Sequence, residues 1–396
     1  MKRLVNIFLR GAADGLNLLA PVDDPAYHQA RPTLGLRKDQ VIDVGINGFG
    51  LHPAAPHLAK MIQAGTVAVI PAAGYSGQTR SHFQSQAILE SAVEENGTAV
   101  TARAEGWLGR MLEADSKGPL APFRGVAVGT VSLPPSLWGT QNAVGCPDLG
   151  SLRLGVLDTP AKPTRGSYRV IDSPLRAHPA SIIDDWHDSN GAPTSASLGV
   201  NAAANVLSTI SSLKSGVADR SATDAVAPDP SAARNEPASD SGDSQLFSAA
   251  SGILESTLGT EVIQIDIGGW DTHKDQGSTE GRFADLLAGL DAGLKMLMDQ
   301  HAHEGNGLVI TVMTEFGRRV RENASGGTDH GRGGLALVLG YGVAGGMKGS
   351  WPGLVDLDQG DLKAVNDLRV LQSEVLSHVF GAAPTARTAN SLGLFG

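Results

Sequence analysis

Two apolar runs in the second half of the chain each lead into a short segment rich in groups that can do chemistry. Residues 262–267 are followed by Asp271 and His273, and residues 308–313 are followed by Glu315. Carboxylate and imidazole groups at the ends of apolar strands are typical of a metal site or an acid–base site in an open α/β sheet. These segments therefore predict a site of that kind.

Other candidate groups flank apolar runs in the same way. They are Asp14 after residues 4–9, Arg80, Ser81 and His82 after residues 67–70, Arg318 after Glu315, and Asp329 and His330 before residues 335–339. In a doubly wound sheet, ligands bind in the crevice outside the carboxyl ends of the strands. We therefore expect these groups to converge, although they are spread over most of the chain.

The residue types indicate which chemistry such a site would support. Asp, Glu and His supply the oxygen and nitrogen ligands that divalent Zn, Mn, Fe or Mg select, with no thiolate needed. Ser81, with His82 beside it, is a candidate nucleophile at the start of a predicted helix, where free N–H groups favour an anionic substrate. Candidates for holding phosphate or sulfate oxygens are Arg80, Arg318 and Arg332.

Each candidate also has a purely structural interpretation. Asp14 lies between Ala and Gly and fits a turn, and Ser81 fits a helix N-cap. His273 and His330 fit hydrogen-bonded loop histidines, and Asp329 can orient His330 without binding a metal itself. The joint placement of these groups at strand ends favours a site more than any one of them does.

The elements that must position these groups alternate between strand and helix, which indicates an α/β fold with a doubly wound, mostly parallel sheet flanked by helices. Strands are predicted at 4–9, 67–70, 125–128, 262–267, 308–313 and 335–339, and helices at 51–64, 81–94, 278–304 and 368–380. We expect Ser278 or Thr279 to cap the third helix and Gly381 to end the last one.

The middle of the chain departs from this alternation. We expect one domain over residues 1–396, with a helical cap-like insertion at 151–260. Residues 196–213 and 245–258 have helical patterns. The stretch 215–244 between them is dense in Ala, Ser, Asp and Pro, and we expect a flexible loop there because it has too little apolar surface to offset its ordering entropy.

Composition excludes several classes of protein. The 396 residues are 41% hydrophobic and 18% charged, as expected for a globular chain. The net charge of -10 argues against a nucleic-acid partner. A single cysteine, Cys146, cannot form an intrachain disulfide, and no apolar run is long enough for a membrane span. Because residues 4–9 already form a strand, we expect no signal peptide and a cytoplasmic protein as the sequence is written.

Several longer segments resemble one family. They are LRGAADGLNLLAPVDDPAYHQARPTL, TRSHFQSQ, GWLGRML, GGWDTH, TEFGRR and DHGRGG. Together they resemble the bacterial proteins that share domain of unknown function 1501, a family similar to the alkaline phosphatase-like superfamily of phosphatases and sulfatases. The resemblance implies an alkaline phosphatase-like core. Relatives commonly carry a twin-arginine export leader, so a periplasmic location is the alternative if such a leader has been removed.

The resemblance also implies a set of ligands for divalent metals, with Zn, Mn, Mg or Ca as the candidates. A first metal would take Asp271, His273 and His330, and a second would take Asp14, Ser81 and Glu315. Two departures from the superfamily pattern affect this assignment. The first Asp and His are spaced as Asp-x-His, and Phe316 stands where the superfamily has a second-site His.

The leading expectation is a metal-dependent hydrolase of phosphate or sulfate esters, with an anionic small molecule or glycan ester as substrate. A sulfatase is less favoured because Ser81 is followed by His82 and Phe83, which does not match the Cys/Ser-x-Pro-x-Arg motif. The alternative from another class is a non-catalytic metal- or ligand-binding protein that retains the fold. The sequence does not reveal the oligomeric state.

Overall fold

The computed structural model describes residues 2–92, 105–114, 123–130, 132–147, 240–302, 307–382 and 391–396. Its strands are β1 (Arg3–Leu9), β2 (Leu19–Ala20), β3 (Gly50–Leu51), β4 (Val67–Gly74), β5 (Gly125–Val128), β6 (Ala143–Cys146), β7 (Val262–Ile267), β8 (Leu308–Thr314), β9 (Arg318–Glu322), β10 (Thr328–His330), β11 (Gly334–Gly340), β12 (Gly346–Met347) and β13 (Asn366–Asp367). Its helices are α1 (Gly15–Leu18), α2 (Pro25–Ala30), α3 (Pro56–Gln63), α4 (His82–Ser91), α5 (Trp107–Ala114), α6 (Asp240–Glu255), α7 (Arg282–His301) and α8 (Leu368–Phe380), with a 3-10 turn at Pro135–Leu137.

Within these ranges, a nine-stranded sheet forms the centre of the fold. Its order is β12-β4-β11-β8-β1-β7-β5-β6, and β13 also pairs with β4. The pairs that β1 makes with β7 and with β8 are parallel. Only β11 runs against its neighbours, pairing antiparallel with both β4 and β8. The expected α/β class with a mostly parallel sheet is therefore confirmed.

Helices cover both faces of this sheet, which explains why the strands are nearly continuous apolar runs. In β1, Val5 and Ile7 point into one core together with residues of α3, α6 and α7. Leu4 and Phe8 point into the opposite core together with residues of α4, α5 and α8. The alternation of side chains along one strand thus supplies both cores.

Several boundaries differ from those expected. α3 begins at Pro56 because Leu51 is already paired in β3. α7 is preceded by Gly281 without a side-chain cap, since the Ser278 hydroxyl donates to the carbonyl of Leu34 instead. The last helix ends as expected at Gly381, which takes the left-handed conformation.

The expected insertion is only partly within the described residues. The predicted helix at 196–213 and most of the predicted loop at 215–244 lie outside them. α6 begins within that predicted loop, and Phe247 and Ile253 on it pack into the same core as α7. This part of the segment belongs to the packed body of the molecule. Among the helices described, none is long and apolar enough to cross a membrane.

Candidate metal centre

The parallel pairing of the central strands brings their carboxyl ends to one edge of the sheet. Leu9 of β1 is in register with Ile267 of β7 on one side and with Thr314 of β8 on the other. The segments that follow these three residues therefore start side by side. Asp271 and Glu315 reach the same edge for this reason.

Three side chains converge at this edge and form the core of the candidate site. His82, Asp271 and His330 each offer one ligand atom, and these atoms all lie within 4.8 Å of one another. The His82 Nε2 and His330 Nε2 atoms are 3.0 Å apart. His330 Nε2 is 3.2 Å from Asp271 Oδ1, and His82 Nε2 is 3.7 Å from Asp271 Oδ2.

His273 adds a fourth group to this cluster. Its Nε2 atom is 2.9 Å from His330 Nε2 and 3.1 Å from Asp271 Oδ1. In a tetrahedral zinc site with bonds of about 2.1 Å, ligand atoms lie about 3.4 Å from each other. Separations of 2.9 to 3.7 Å join His330 and Asp271 to both His82 and His273. These residue types at this spacing are compatible with one divalent metal.

Each of the three imidazoles uses its other ring nitrogen for a hydrogen bond outside the cluster. Such a bond fixes the tautomer, because Nδ1–H donates and the Nε2 lone pair is left for a metal. The acceptors are Glu315 Oε1 for His82 (2.7 Å), Asp329 Oδ1 for His273 (3.1 Å) and the Arg80 carbonyl for His330 (3.0 Å). This shared pattern is the strongest structural indication that the cluster binds a metal.

The electrostatics of the cluster follow from the same contacts. Burial alone would raise the pKa of Asp271, but hydrogen bonds from His330 and His82 and the Arg318 guanidinium lower it below its usual range. Hydrogen bonds to Asp271 and Glu315 raise the pKa of His82 to about 9 in the metal-free protein. The pKa of Glu315 is lowered because its hydrogen bonds, first among them the one from His82, outweigh its burial.

Arg318 is placed differently from the expectation that it holds substrate. Its side chain is fully buried, and all three of its nitrogens donate to groups of the chain itself. One of these acceptors is Asp271 Oδ1, at 2.6 Å. Arg318 therefore anchors the Asp271 carboxylate and has no nitrogen left for a phosphate or sulfate.

Asp14 is also placed away from the cluster. It is 0% exposed, and both of its oxygens accept from Arg31, at 2.6 and 3.0 Å. The Gln276 amide donates to it as well, and the Gln276 carbonyl oxygen accepts from Thr272 and Thr328. Through Gln276, Asp14 is thus connected to the two segments that carry candidate ligands. Because its oxygens are already engaged, we leave it out of the candidate metal site.

Glu315 contacts the cluster only through His82. One of its oxygens, Oε1, accepts from His82, from Gln86 and from the Gly11 N–H, and the other accepts from Thr314. The second ligand set implied by the resemblance, Asp14, Ser81 and Glu315, does not assemble, since Asp14 and Glu315 are committed elsewhere. In the part of the chain that the structure describes, the group with metal-ligand spacing is His82, Asp271 and His330, with His273 adjoining it.

Ser81 and the remaining arginines lie around the cluster. Ser81 occupies the N-cap position of α4 and is exposed, but its side chain makes no capping hydrogen bond. The interpretation of Ser81 as an N-cap residue is therefore right in position, while its hydroxyl does not serve as the cap. Arg80 pairs with the buried Asp361 at 2.6 Å and keeps 31% of its side chain exposed, and Arg332 pairs with Asp358 at 2.6 Å.

Sequence reasoning missed the contributions of two residues to the candidate site. His82 was expected to assist catalysis beside Ser81, whereas the structure places its Nε2 among the candidate ligand atoms. Gln86 was not singled out, although it shares an acceptor with His82. The signal for both is the spacing of His82 and Gln86, four residues apart at the start of a helix, which puts them on one face.

Comparison with known proteins agrees with the family resemblance. Residues 199–371, which include Asp271, Glu315 and His330, match the family model described as protein of unknown function (DUF1501). The matched region is a little under half of the chain. A search among curated proteins finds no significant match.

Among solved structures, the chain is similar to several proteins at low sequence identity. One is the C-terminal periplasmic domain of EcEptC from Escherichia coli, in complex with Zn (7% identity, TM-score 0.44, 96% of this chain and 82% of that one). Another is BT1596, a 2-O GAG sulfatase (9%, 0.42, 99% and 73%). A third is phosphonoacetate hydrolase from Sinorhizobium meliloti 1021 (15%, 0.32, 80% and 57%). Similarity at this level assigns no reaction, substrate or metal to the chain.

Proposed function

We propose that this protein is a metal-dependent hydrolase of phosphate or sulfate esters, with one divalent metal held by His82, His273, His330 and Asp271. The observation that carries the proposal is the cluster of His82, Asp271 and His330 at the carboxyl edge of the sheet, with His273 beside it. Each of the three imidazoles is oriented by an acceptor at Nδ1. The resemblance to the alkaline phosphatase-like superfamily supplies the reaction class.

The ligand types favour zinc among the candidate metals. Imidazole nitrogen is a good ligand for Zn, whereas Mg and Ca prefer sites made of oxygen atoms. Three imidazoles and one carboxylate therefore select against Mg and Ca. When bound, such a metal supplies Lewis-acid polarisation and lowers the pKa of a nearby hydroxyl group or water.

The residues around the proposed metal ligands are assigned three roles: nucleophile, binding of the anionic group, and orientation of the imidazoles. Ser81 is the proposed nucleophile, because it is exposed, its side chain makes no capping hydrogen bond, and it immediately precedes the proposed ligand His82. Arg80 is the proposed partner of the anionic group, since its side chain is partly exposed next to Ser81. The N–H groups at the start of α4 favour the same negative charge. Asp329 and Glu315 orient two of the imidazoles.

The test combines metal analysis with ester hydrolysis. Aryl phosphate and aryl sulfate are suitable probes, because Phe83 next to His82 is 89% exposed and offers apolar surface to a ring. We expect about one zinc per chain by mass spectrometry of the purified protein. Ser81→Ala should retain the metal and lower kcat by about a thousandfold or more. Ser76→Ala, at another exposed serine in the same loop region, should leave kcat unchanged.

Two results would contradict the proposal in different ways. Absence of stoichiometric metal from the wild-type protein, even after dialysis against zinc, would remove the site itself. Bound metal without Ser81-dependent turnover of either ester would favour the alternative function, a metal-binding protein that keeps the fold without catalysis.

A further inference from the structure

One face of α4 carries three polar residues directed at the strand ends. His82, Gln86 and Glu90 are spaced four apart, so they lie in one row along the helix. Each makes a hydrogen bond to a group at or just after the end of a central strand. This face therefore links the helix to the ends of the central strands.

Gln86 and His82 meet at the same oxygen atom. The Gln86 amide donates to Glu315 Oε1 at 2.9 Å, and His82 Nδ1 lies 2.7 Å from that oxygen. The Gly11 N–H donates to it at 2.9 Å as a third partner. Because Glu315 is fully buried, the direction of its carboxylate is set by these donors and not by solvent.

Glu90 fixes the other end of the helix. Its carboxylate accepts two hydrogen bonds from Arg10, at 2.7 and 2.9 Å, and Arg10 also donates to Asp266 at 2.7 Å. Arg10 follows β1 and Asp266 lies in β7, so the helix is tied to both strands. Glu90 thus holds the C-terminal end of α4, and Gln86 makes the hydrogen bond next to that of His82 on the same face.

We propose that Gln86 is a positioning residue of the metal centre. It holds the Glu315 carboxylate in the direction that accepts from His82 Nδ1, and this keeps His82 Nε2 directed at Asp271 and His330. The inference rests on the metal site of the proposed function and adds a residue that does not touch the metal. Partners of this kind commonly change metal affinity about 10- to 100-fold when they are removed.

Gln86→Leu tests this role, because leucine keeps the bulk and removes the amide. Gln84→Leu is the matched control, since Gln84 is an exposed glutamine on the same helix. Zinc affinity is measured for both variants by competition with a chromophoric chelator. The absorption spectrum of the cobalt-substituted protein reports the ligand geometry, and thermal unfolding of the metal-free proteins reports the fold.

We expect Gln86→Leu to weaken zinc binding about 10-fold or more and to change the cobalt spectrum, with Gln84→Leu matching the wild type in both. Equal zinc affinity and equal cobalt spectra for Gln86→Leu and wild type would overturn the positioning role. The same conclusion would follow if Gln84→Leu weakened binding as much. A wild-type protein that binds no zinc would instead count against the proposed function, so the two failures are distinguishable.

Discussion

At the scale of single residues, the candidate site depends on which carboxylates are exposed and which are buried in ion pairs. Asp271 keeps 45% of its side chain exposed and is anchored by Arg318 on one side only. Asp14, by contrast, has both oxygens engaged by one guanidinium in the interior. The same residue type thus serves as a candidate ligand in one place and as a structural counter-ion in the other.

The ion pair between Asp14 and Arg31 makes a prediction about stability. Both side chains are 0% exposed, so Asp14→Ala would leave a buried guanidinium without its counter-ion. We expect a loss of about 3–5 kcal/mol in the free energy of unfolding. Denaturant unfolding of the metal-free protein measures this.

The control for that experiment is Asp23→Ala, which removes an exposed pair with Lys38. It should cost less than about 1 kcal/mol, because water screens exposed ion pairs. If Asp14→Ala unfolded like wild type and lost zinc instead, Asp14 would be a ligand and not a counter-ion.

At the scale of elements, short polar contacts hold the loops that carry the candidate ligands. Gln276 accepts hydrogen bonds from Thr272 and Thr328, at 2.8 Å each. Thr272 lies between Asp271 and His273, and Thr328 begins β10, which ends at His330. One buried amide therefore joins the two segments that supply three of the four proposed metal ligands.

His52 joins two other elements and makes the stability of the fold depend on pH. Its Nδ1 accepts from the Ala54 N–H at 3.1 Å, and its Nε2–H donates to the Ser278 carbonyl at 2.7 Å. Only a neutral imidazole makes both bonds. Burial lowers the pKa of His52 below its usual value of 6.5.

A lowered pKa in the folded state means that the unfolded chain binds the proton first as the pH falls. The contribution of His52 to stability is therefore complete above pH 6.5 and is lost as the pH falls through its folded pKa. We expect His52→Gln to flatten this part of the pH dependence of unfolding free energy, measured in denaturant between pH 7 and about 5. The same substitution at His57, whose side chain is more open to solvent, is the control. An unchanged pH dependence in His52→Gln would show that other groups cause it.

At the scale of the whole molecule, the site exists because the sheet brings distant segments together. Of the four proposed ligands, His82 precedes the others by almost 200 residues. It lies on α4, which packs into one core of the sheet, whereas α7 packs into the other. A metal bound there would join α4, the loop after β7, and β10. Metal binding should therefore stabilise the whole fold.

Removal of metal tests this coupling. A ligand that binds only the native state at 100 times its Kd adds about 2.7 kcal/mol to the unfolding free energy. We expect a chelator to lower the Tm of the zinc-loaded protein by several degrees, and added zinc to restore it. Asp271→Asn should unfold at the same temperature with and without zinc. A chelator-induced shift that persists in Asp271→Asn would place the metal elsewhere.

Much of the architecture could be predicted from the sequence because its causes are local. The apolar runs at 262–267 and 125–128 are strands with the expected bounds, and the last helix has the expected range and ends at Gly381. Hydrophobic periodicity and turn residues act over a few positions, so their effects can be predicted from a single sequence. The antiparallel direction of β11 could not be predicted from the sequence, because strand direction depends on the path of the connections around it.

The groups able to bind a metal, and their place at strand ends, were determined by the sequence itself. Only the tertiary structure decided which of them are available, by pairing Asp14 with Arg31 and turning Glu315 toward His82. The physical reason is that a carboxylate binds whichever donor packing brings within about 3 Å. Residue type sets what a side chain can bind, and the three-dimensional neighbours set what it does bind.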